Sequence, residues 1–225
     1  QDTYLSDYLL AMKSYIKEGV GKGKRANDEM TVLVKFDLSS VVPADAVVLE
    51  ASMDMETVDW GGGHATTVNA YRVTRSWVVT ETTWISATGA TPWAGAGCNG
   101  EGDRDTDPVG TFQLENVGDS PTLDVTTLVI DWLADPASNN GIILKGDLGT
   151  KVRHNLAAAE YSSVQSRPKL TIYFVRATPT PTATATNTPT YTPTAGPTYT
   201  PTATCSPTPI ETLFRLNLPV IFKGE

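Results

Sequence analysis

The sequence predicts an all-β protein of the sandwich or jelly-roll type, followed by a long Thr/Pro tract and a separate terminal strand. In residues 1–176, Gly, Pro, Asn or Asp interrupts short strand-like runs about every ten residues, as in sandwiches and jelly rolls. Residues 177–212 are rich in Thr and Pro, a composition that builds no core. Residues 213–225 alternate apolar and polar side chains with the period of a half-buried strand.

Three strands of the first domain are predicted most clearly. Residues 31–38 and 169–175 alternate, so one face of each strand packs and the other is solvated. Residues 141–144 form a continuous apolar run, which favours a central strand. The core-facing residues are then Val32, Val34, Phe36 and Leu38 in the first strand, and Leu170, Ile172 and Phe174 in the second.

One short helix is predicted after residue 124. Asp124 or Thr126 can cap its start, and Asp135 followed by Pro136 ends it. Two i,i+4 pairs place an apolar face against a sheet: Leu128 with Trp132, and Val129 with Leu133.

The Thr/Pro tract of residues 177–212 is predicted to be a spacer. It contains the heptad PTYTPTA twice, and proline favours an extended polyproline II path, so 36 residues span up to roughly 110 Å. Threonine-rich tracts with proline are also typical of O-glycosylated stalks. The candidate glycosylated residues are Thr190, Thr192, Thr194, Thr198, Thr200 and Thr202.

The terminal strand, residues 213–225, needs a groove in its own domain or in a neighbour's. Addition of a strand to a sheet edge is a known mode of recognition, and a tethered strand of this kind is typical of an assembly subunit. The residues predicted to insert are Phe214, Leu216, Leu218, Val220 and Phe222.

Composition limits the partners and the location. The net charge of −8 and the lack of a large basic cluster argue against nucleic acid and anionic membranes as partners. No apolar run approaches the roughly twenty residues of a membrane helix, so we predict no membrane insertion. The first residue, Gln1, is interpreted as a mature terminus left by signal-peptide removal, which predicts a secreted, extracellular or cell-surface protein.

Several segments of residues 1–176 resemble the DNRLRE-domain family of secreted bacterial proteins, which overlaps a carbohydrate-binding-module family. The segments are QDTYL at 1–5, VKFDLSS at 34–40 followed by Pro43, YRVTRSW at 71–77, Thr83-Trp84, LDVTTLV at 123–129, Trp132, Asn140-Gly141 and RPKL at 167–170. The resemblance implies an antiparallel jelly-roll β-sandwich with one short helix and an extracellular setting. It transfers no ligand-contact residue and does not extend to the tract or the tail.

Catalysis has little support in the sequence. His64 and His154 lie outside any recognised catalytic pattern, and no nucleophile elbow or paired-histidine motif is present. We therefore predict a non-enzymatic protein that needs no cofactor.

A calcium site is one interpretation of the aspartates Asp103, Asp105 and Asp107, which alternate in a Gly-rich loop. Their oxygens suit a hard cation such as a structural Ca²⁺, and Asp119 and Asp147 are candidate further ligands. The segment lacks the full twelve-residue calcium-loop pattern, and a solvated loop is the alternative.

Two tryptophans are candidates for stacking on a sugar, because Trp60 lies beside three glycines and Trp93 lies before a Gly-rich loop. The alternative is that each ring packs a loop against the sheet. The two cysteines, Cys98 and Cys205, are predicted to form a disulfide, within one chain or between chains, which would fix the distal tract to a domain. The alternative is that each cysteine remains free.

These observations favour a structural subunit that polymerises head to tail with copies of itself, by inserting its terminal strand into a neighbouring subunit's β-sandwich. The alternative is a cell-surface carbohydrate-binding or adhesive module on a glycosylated stalk, with a polysaccharide as partner. Docking of the tail into its own domain is the third hypothesis.

Overall fold

The computed structural model of the chain describes residues 5–6, 9–16, 27–29, 31–39, 41–62, 65–146, 152–159, 161–176 and 212–219. Within these ranges the protein consists mainly of antiparallel β-strands with one α-helix, which confirms the predicted all-β class. The elements are β1 Leu5–Ser6, β2 Leu9–Ile16, β3 Asn27–Glu29, β4 Thr31–Val34, β5 Ala46–Asp54, β6 Thr57–Gly61, β7 Thr66–Arg72, β8 Gly110–Leu114, β9 Thr122–Asp124, α1 Thr126–Ala134, β10 Ile142–Gly146, β11 Val152–Ala157, β12 Lys169–Arg176 and β13 Thr212–Pro219.

The described strands form three antiparallel sheets. The first has the order β1-β2-β11-β6, with β3 also paired to β2. The second has the order β4-β10-β7-β8, and the third has the order β13-β12-β5-β9. The third sheet therefore places the C-terminal strand at its edge, and the jelly-roll connectivity stays a prediction.

The second and third sheets pack on one main hydrophobic core, to which α1 also contributes. Alternate residues of the strands point into it, as the period of two requires. The second sheet contributes Val32, Val34, Val68, Ala70, Leu114, Ile142 and Leu144; the third contributes Ala51, Met53, Leu123, Leu170, Ile172, Phe174 and Leu218; the helix contributes Leu128, Val129 and Trp132.

The strand predictions agree with this core, with one change of boundary. Strand β4 ends at Val34, earlier than the predicted residue 38, but Phe36 and Leu38 are still buried. Strand β10 lies between β4 and β7, which is the predicted central position. The left-handed backbone of Gly141 precedes β10, with φ of +75°, and an added Cβ would lie 2.1 Å from the carbonyl oxygen of Val34.

Helix α1 lies and ends where the sequence predicts, but its N-cap is Val125, which makes no side-chain cap hydrogen bond, rather than Asp124 or Thr126. The Oδ1 of Asp124 accepts hydrogen bonds from the backbone N–H of Thr126, at 2.9 Å, and from its hydroxyl, at 2.6 Å. The helix ends at Ala134, directly before Asp135 and Pro136. Among the residues that the structure describes, no helix has the length and apolar character needed to cross a membrane.

The connection between β7 and β8, residues 73–109, folds back over the outer face of the second sheet. We call it the β7–β8 loop. Leu33 of β4 and Ile143 of β10 point to that face and join side chains of the loop in a second, smaller hydrophobic core. The loop residues of this core are Val73, Trp77, Ala87, Trp93 and Cys98.

Candidate functional site

The terminal strand β13 lies along β12 and forms one edge of the third sheet. The register pairs Thr212 with Arg176 at one end and Pro219 with Lys169 at the other. Every one of the eight residues of β13 therefore has a partner on β12 of the same chain. The predicted tail strand is present over Thr212–Pro219.

One face of β13 extends the main core. Leu218 is only 5% exposed, and Leu216 is half-buried against the same core. Phe214 is 38% exposed, and its ring stacks on the ring of Phe174, with 5.3 Å between the centroids. Burial therefore increases from the start of the strand to its end. The other two residues predicted to insert, Val220 and Phe222, lie outside the described residues.

The opposite face of β13 carries polar contacts to β12. The hydroxyl of Thr171 donates to Oδ1 of Asn217, at 3.1 Å. The guanidinium of Arg215 lies 5.7 Å from the centroid of the Tyr173 ring, within the range of a cation–π contact. Leu213 is exposed. The strand is thus amphipathic in the way that the sequence predicts.

The two ends of the Thr/Pro tract leave the sheet side by side. Arg176 and Thr212 are paired residues, and paired Cα atoms of antiparallel strands are about 4.5–5.5 Å apart. The 35 residues between them, 177–211, replace a hairpin turn that usually has about two to five residues. The six candidate glycosylated threonines, Thr190 to Thr202, lie in the tract, outside the described residues.

The buried carboxylate of Asp103 organises the β7–β8 loop. Its two oxygens accept hydrogen bonds from the backbone N–H groups of Ala94 and Gly95, both at 3.0 Å, and of Gly100, at 2.9 Å, and from Nε of Arg75. Burial acts to raise the pKa of Asp103, but these donors outweigh it and hold the pKa below its usual value. The ionised carboxylate therefore joins three parts of the loop.

The predicted calcium ligands are not gathered in one place. The carboxylate oxygens of Asp103 already accept hydrogen bonds from N–H groups, whereas Asp105 and Asp107 are exposed. Oδ2 of Asp119 accepts from two backbone N–H groups of its own turn, and Asp147 lies outside the described residues. Within the described ranges, no group of three or more His, Cys, Asp or Glu residues is arranged to hold a metal ion. The calcium site stays a prediction, and the structure gives Asp103 a different role.

Cys98 is a free, buried thiol in this structure rather than half of the predicted disulfide. Its Sγ donates to the backbone carbonyl of Asp103, at 3.6 Å, and burial raises the pKa of the thiol to about 12. A thiol in this position is inaccessible to a second cysteine unless the loop opens. Cys205, the predicted partner, lies outside the described residues.

The two tryptophans predicted to stack on sugars differ in exposure. Trp93 is 6% exposed, and its Nε1 donates to the carbonyl of Thr83 at 3.0 Å, so it packs the loop against the sheet and does not fit the stacking role. Trp60, on β6, is 36% exposed. Its ring stacks on the ring of buried His154, with centroids 6.3 Å apart and an interplanar angle of 17°. The second histidine, His64, lies outside the described residues.

Three polar residues that flank the Trp60–His154 pair in the register lie on the other face of the sheet. Asp59 accepts from Nδ2 of Asn155, at 2.8 Å, and from Nη2 of Arg153, at 3.1 Å. Successive residues of a strand point to opposite faces, so this trio and the Trp60 ring face different ways. A sugar stacked on Trp60 would not reach these three side chains.

The sequence does not predict the role of Asp103. The signal for Asp103 was present, because glycines lie before it at positions 95, 97, 100 and 102. Glycine allows backbone N–H groups to approach a carboxylate closely. The alternating aspartates predict a cation site, whereas the backbone N–H groups of this loop bind an anion, the carboxylate of Asp103 itself.

No protein-family model matches the chain, and the search of curated proteins finds no match either. The resemblance to the DNRLRE-domain family therefore stays a prediction that depends on the sequence segments given above.

Proposed function

We propose that the protein is a structural subunit of an extracellular filament or surface assembly, which grows when β13 of one molecule adds to β12 of the next. The observation that supports it most is the end-to-end pairing of β13 with β12 across a 35-residue tract. Exchange of an identical element between copies of a chain keeps the same contacts, so it is a low-cost route to association. The intrachain pairing is then the closed form of the subunit.

The connecting tract decides between the closed and the exchanged forms, because the contacts of β13 are the same in both. Closing 35 flexible residues costs about 3 kcal/mol, from (3/2)RT ln n, plus a constant. The closed form holds the tract's ends about 5 Å apart, whereas an extended Pro-rich segment of this length spans roughly 110 Å. The Thr/Pro composition therefore disfavours the closed form more than a flexible linker of equal length would.

Subunit concentration sets the balance. A tethered strand has an effective concentration on the order of millimolar at its own sheet edge. Strand exchange between subunits therefore competes with the closed form best where subunits are crowded, as on a cell surface. Head-to-tail exchange is heterologous and need not close, so it produces open chains. O-glycosylation of the tract is part of this proposal, since crowded sugars would hold the ends of the tract further apart.

The experiment compares two variants that add the same charge to β13. Leu218→Asp places a carboxylate in the main core, where Leu218 is 5% exposed, and loses about 2–3 kcal/mol of apolar burial before the cost of burying the charge. Asn217→Asp adds the charge one residue away on the other face and keeps an acceptor for the Thr171 hydroxyl. We expect the wild type and Asn217→Asp to assemble, and Leu218→Asp to stay monomeric.

The assay is sedimentation velocity and negative-stain electron microscopy from about 10 μM to about 1 mM, which approaches the effective concentration of the tethered strand. A synthetic peptide of residues 212–219 supplies the folding control. It should bind to the vacated β12 edge of the Leu218→Asp subunit and should block assembly of the wild type. Equal assembly of both variants, or a wild type that remains monomeric at every concentration, would contradict the proposal.

A second candidate function is carbohydrate binding, which is favoured by one observation. The Trp60 ring is partly exposed and stacks on the ring of buried His154, its partner on the neighbouring strand. An exposed aromatic ring suits stacking on the apolar face of a sugar. Glycan-array binding that is lost in Trp60→Ala and retained in Val78→Ala, another exposed apolar site, would support this function.

A further inference from the structure

The third sheet has one face on the main core and one face turned away from it, which we call the outer face. Leu170, Ile172 and Phe174 of β12 belong to the core, so the residues that alternate with them point outward. The register extends the outer face to the neighbouring residues of β5 and β13. The outer face therefore consists of rows of three side chains, one from each strand, with β12 in the middle.

One end of the outer face is apolar. Val47, Val175 and Leu213 are in register and form a row across the three strands. Val47 is 56% exposed and Leu213 is 60% exposed, although both are large apolar residues. Leu49, which is 54% exposed, is the extra residue of a bulge in β5 and lies next to this row. Adjacent exposed apolar side chains, unlike isolated ones, indicate an interaction surface.

The next row carries opposite charges on its two sides. Glu50, Tyr173 and Arg215 are in register, and both charged residues are exposed. The guanidinium of Arg215 lies 5.7 Å from the centroid of the central Tyr173 ring. Among the described residues, neither Glu50 nor Arg215 has a salt-bridge partner. The row after it is polar and consists of Ser52, Thr171 and Asn217.

This arrangement is self-complementary under a two-fold rotation. An axis that runs parallel to β12, above Tyr173 and Val175, places β13 of one molecule opposite β5 of the other. Glu50 of each molecule then meets the partner's Arg215, and the apolar rows meet each other. An axis through the same row but perpendicular to the strands would place each Arg215 opposite its own copy and the apolar row opposite the polar row. Charge and apolar character therefore both favour the parallel axis.

We propose that the outer face of the third sheet is a self-association surface, on which two copies of the protein pair face to face about the axis parallel to β12. Sheets that pack in this way lie about 10 Å apart, with their strands within about 30° of each other. The apolar rows exclude water from one end of the interface, and the two Glu50–Arg215 contacts fix its orientation.

The size of the outer face sets the strength of the pairing. Three strands measure about 14 Å across, and the eight residues of β12 measure about 26 Å along the strand. An area of this size belongs to the low end of the range for specific interfaces, so the dimer is weak and reversible. A two-fold pairing is isologous and closes at two subunits. The inference is independent of strand exchange, because β13 supplies the same Leu213 and Arg215 whether it comes from the same chain or from another.

The first test exchanges charges between molecules. Glu50→Arg leaves two positive charges in the charged row, and Arg215→Glu leaves two negative charges, so each variant should repel its own copies. An equimolar mixture of the two variants restores both contacts between opposite charges. The measurement is sedimentation equilibrium from about 1 μM to about 200 μM, below the millimolar range in which strand exchange competes. The buffer contains about 50 mM salt, because salt screens exposed charges.

We expect the wild type to dimerise. Each single variant should have a dimer dissociation constant at least about tenfold higher, because two attractive contacts become repulsive. The mixture should form heterodimers with about the wild-type dissociation constant, a result that a misfolded variant could not give. A mixture that associates no better than the separate variants would overturn the proposal. A wild type that is monomeric over the whole range, as expected if another segment of the chain covers the outer face, would also overturn it.

A second pair of variants tests the apolar row. Val47→Asp places a carboxylate opposite the partner's Leu213, whereas Val117→Asp places one at a residue of nearly equal exposure, 54%, between β8 and β9. We expect Val47→Asp to raise the dimer dissociation constant at least about tenfold and Val117→Asp to leave it unchanged. Equal dissociation constants for the two variants would contradict the proposal. Open chains formed by strand exchange near about 1 mM should persist in Val47→Asp, so the failure of either proposal is recognised separately.

Discussion

Asp103→Ala is the substitution that tests the organisation of the β7–β8 loop most directly. It removes the acceptor of three backbone N–H groups, on Ala94, Gly95 and Gly100, and the partner of Arg75. A hydrogen bond contributes about 1 kcal/mol net, and more when the acceptor is charged, so the bonds to the three part-buried N–H groups together account for about 3 kcal/mol. The population of the open loop should then rise by roughly a hundredfold or more.

Cys98 provides the assay. Its thiol is buried in the loop and its pKa is raised to about 12, so at pH 8 a disulfide reagent reacts almost only with the open loop. Measured in a Cys205→Ser background, where Cys98 is the single cysteine, the reaction rate reports the opening equilibrium. We expect Asp103→Ala to accelerate labelling by about two orders of magnitude.

Asp105→Ala is the matched control, because Asp105 has the same side chain two residues away and is exposed. It should label at the wild-type rate. If Asp103→Ala and Asp105→Ala label equally fast, then the carboxylate of Asp103 does not hold the loop closed. If added Ca²⁺ slows labelling of the wild type but not of Asp103→Ala, the predicted calcium site gains support.

Three further predictions concern acid stability, backbone strain and ligand binding. The pKa of Asp103 is lower in the folded protein than its ordinary value of 3.8. The stability that the ionised carboxylate gives to the folded loop is therefore fully present above pH 3.8 and is lost as the pH falls through the folded pKa. Near-UV circular dichroism of the loop tryptophans should be constant down to about pH 4 and should change below it. In urea unfolding, Gly141→Ala should lower the free energy of unfolding by more than about 3 kcal/mol, because the added Cβ clashes with the Val34 carbonyl. Gly118→Ala is the control: Gly118 also has a positive φ, but no atom lies near the added Cβ, so the loss should be about 1–2 kcal/mol. Trp60→Ala should leave the free energy of unfolding within about 1 kcal/mol of the wild type, as expected for a partly exposed ring. A larger loss in urea unfolding would mean that its stacking on His154 is structural.

Local patterns predicted the elements well, because their causes are local. Alternation in residues 31–38 and 169–175 identified the residues that face the core, and Asp135 with Pro136 marked the end of α1. The start was predicted less well, because the N-cap is Val125 rather than a polar residue. Strand β13 was recognised in the same way. Its partner was not, since alternation shows that a strand has an apolar face but does not show which sheet edge receives it.

The candidate site was harder to predict because its features depend on long-range contacts. Trp60 and Trp93 both lie near glycines, yet one ring is exposed and the other is buried under a loop whose path the sequence does not reveal. Asp103 resembles Asp105 and Asp107 in sequence, but only Asp103 meets N–H groups from residues three to nine positions before it. The residues next to an aspartate or a tryptophan in the sequence do not show whether the folded chain buries it.

The register of β13 has a mechanical consequence for the proposed filament. In an exchanged pair, the donor's tract enters β13 at Thr212, and the acceptor's own tract leaves β12 at Arg176, which is the residue paired with Thr212. Tension along the filament would therefore act on both strands at the same end and separate them one pair at a time, starting with Arg176 and Thr212. Such a joint peels rather than shears. The paired strands would therefore separate at a lower force than the length of β13 suggests. The well-buried Leu218, near the far end of β13, would be among the last residues to separate.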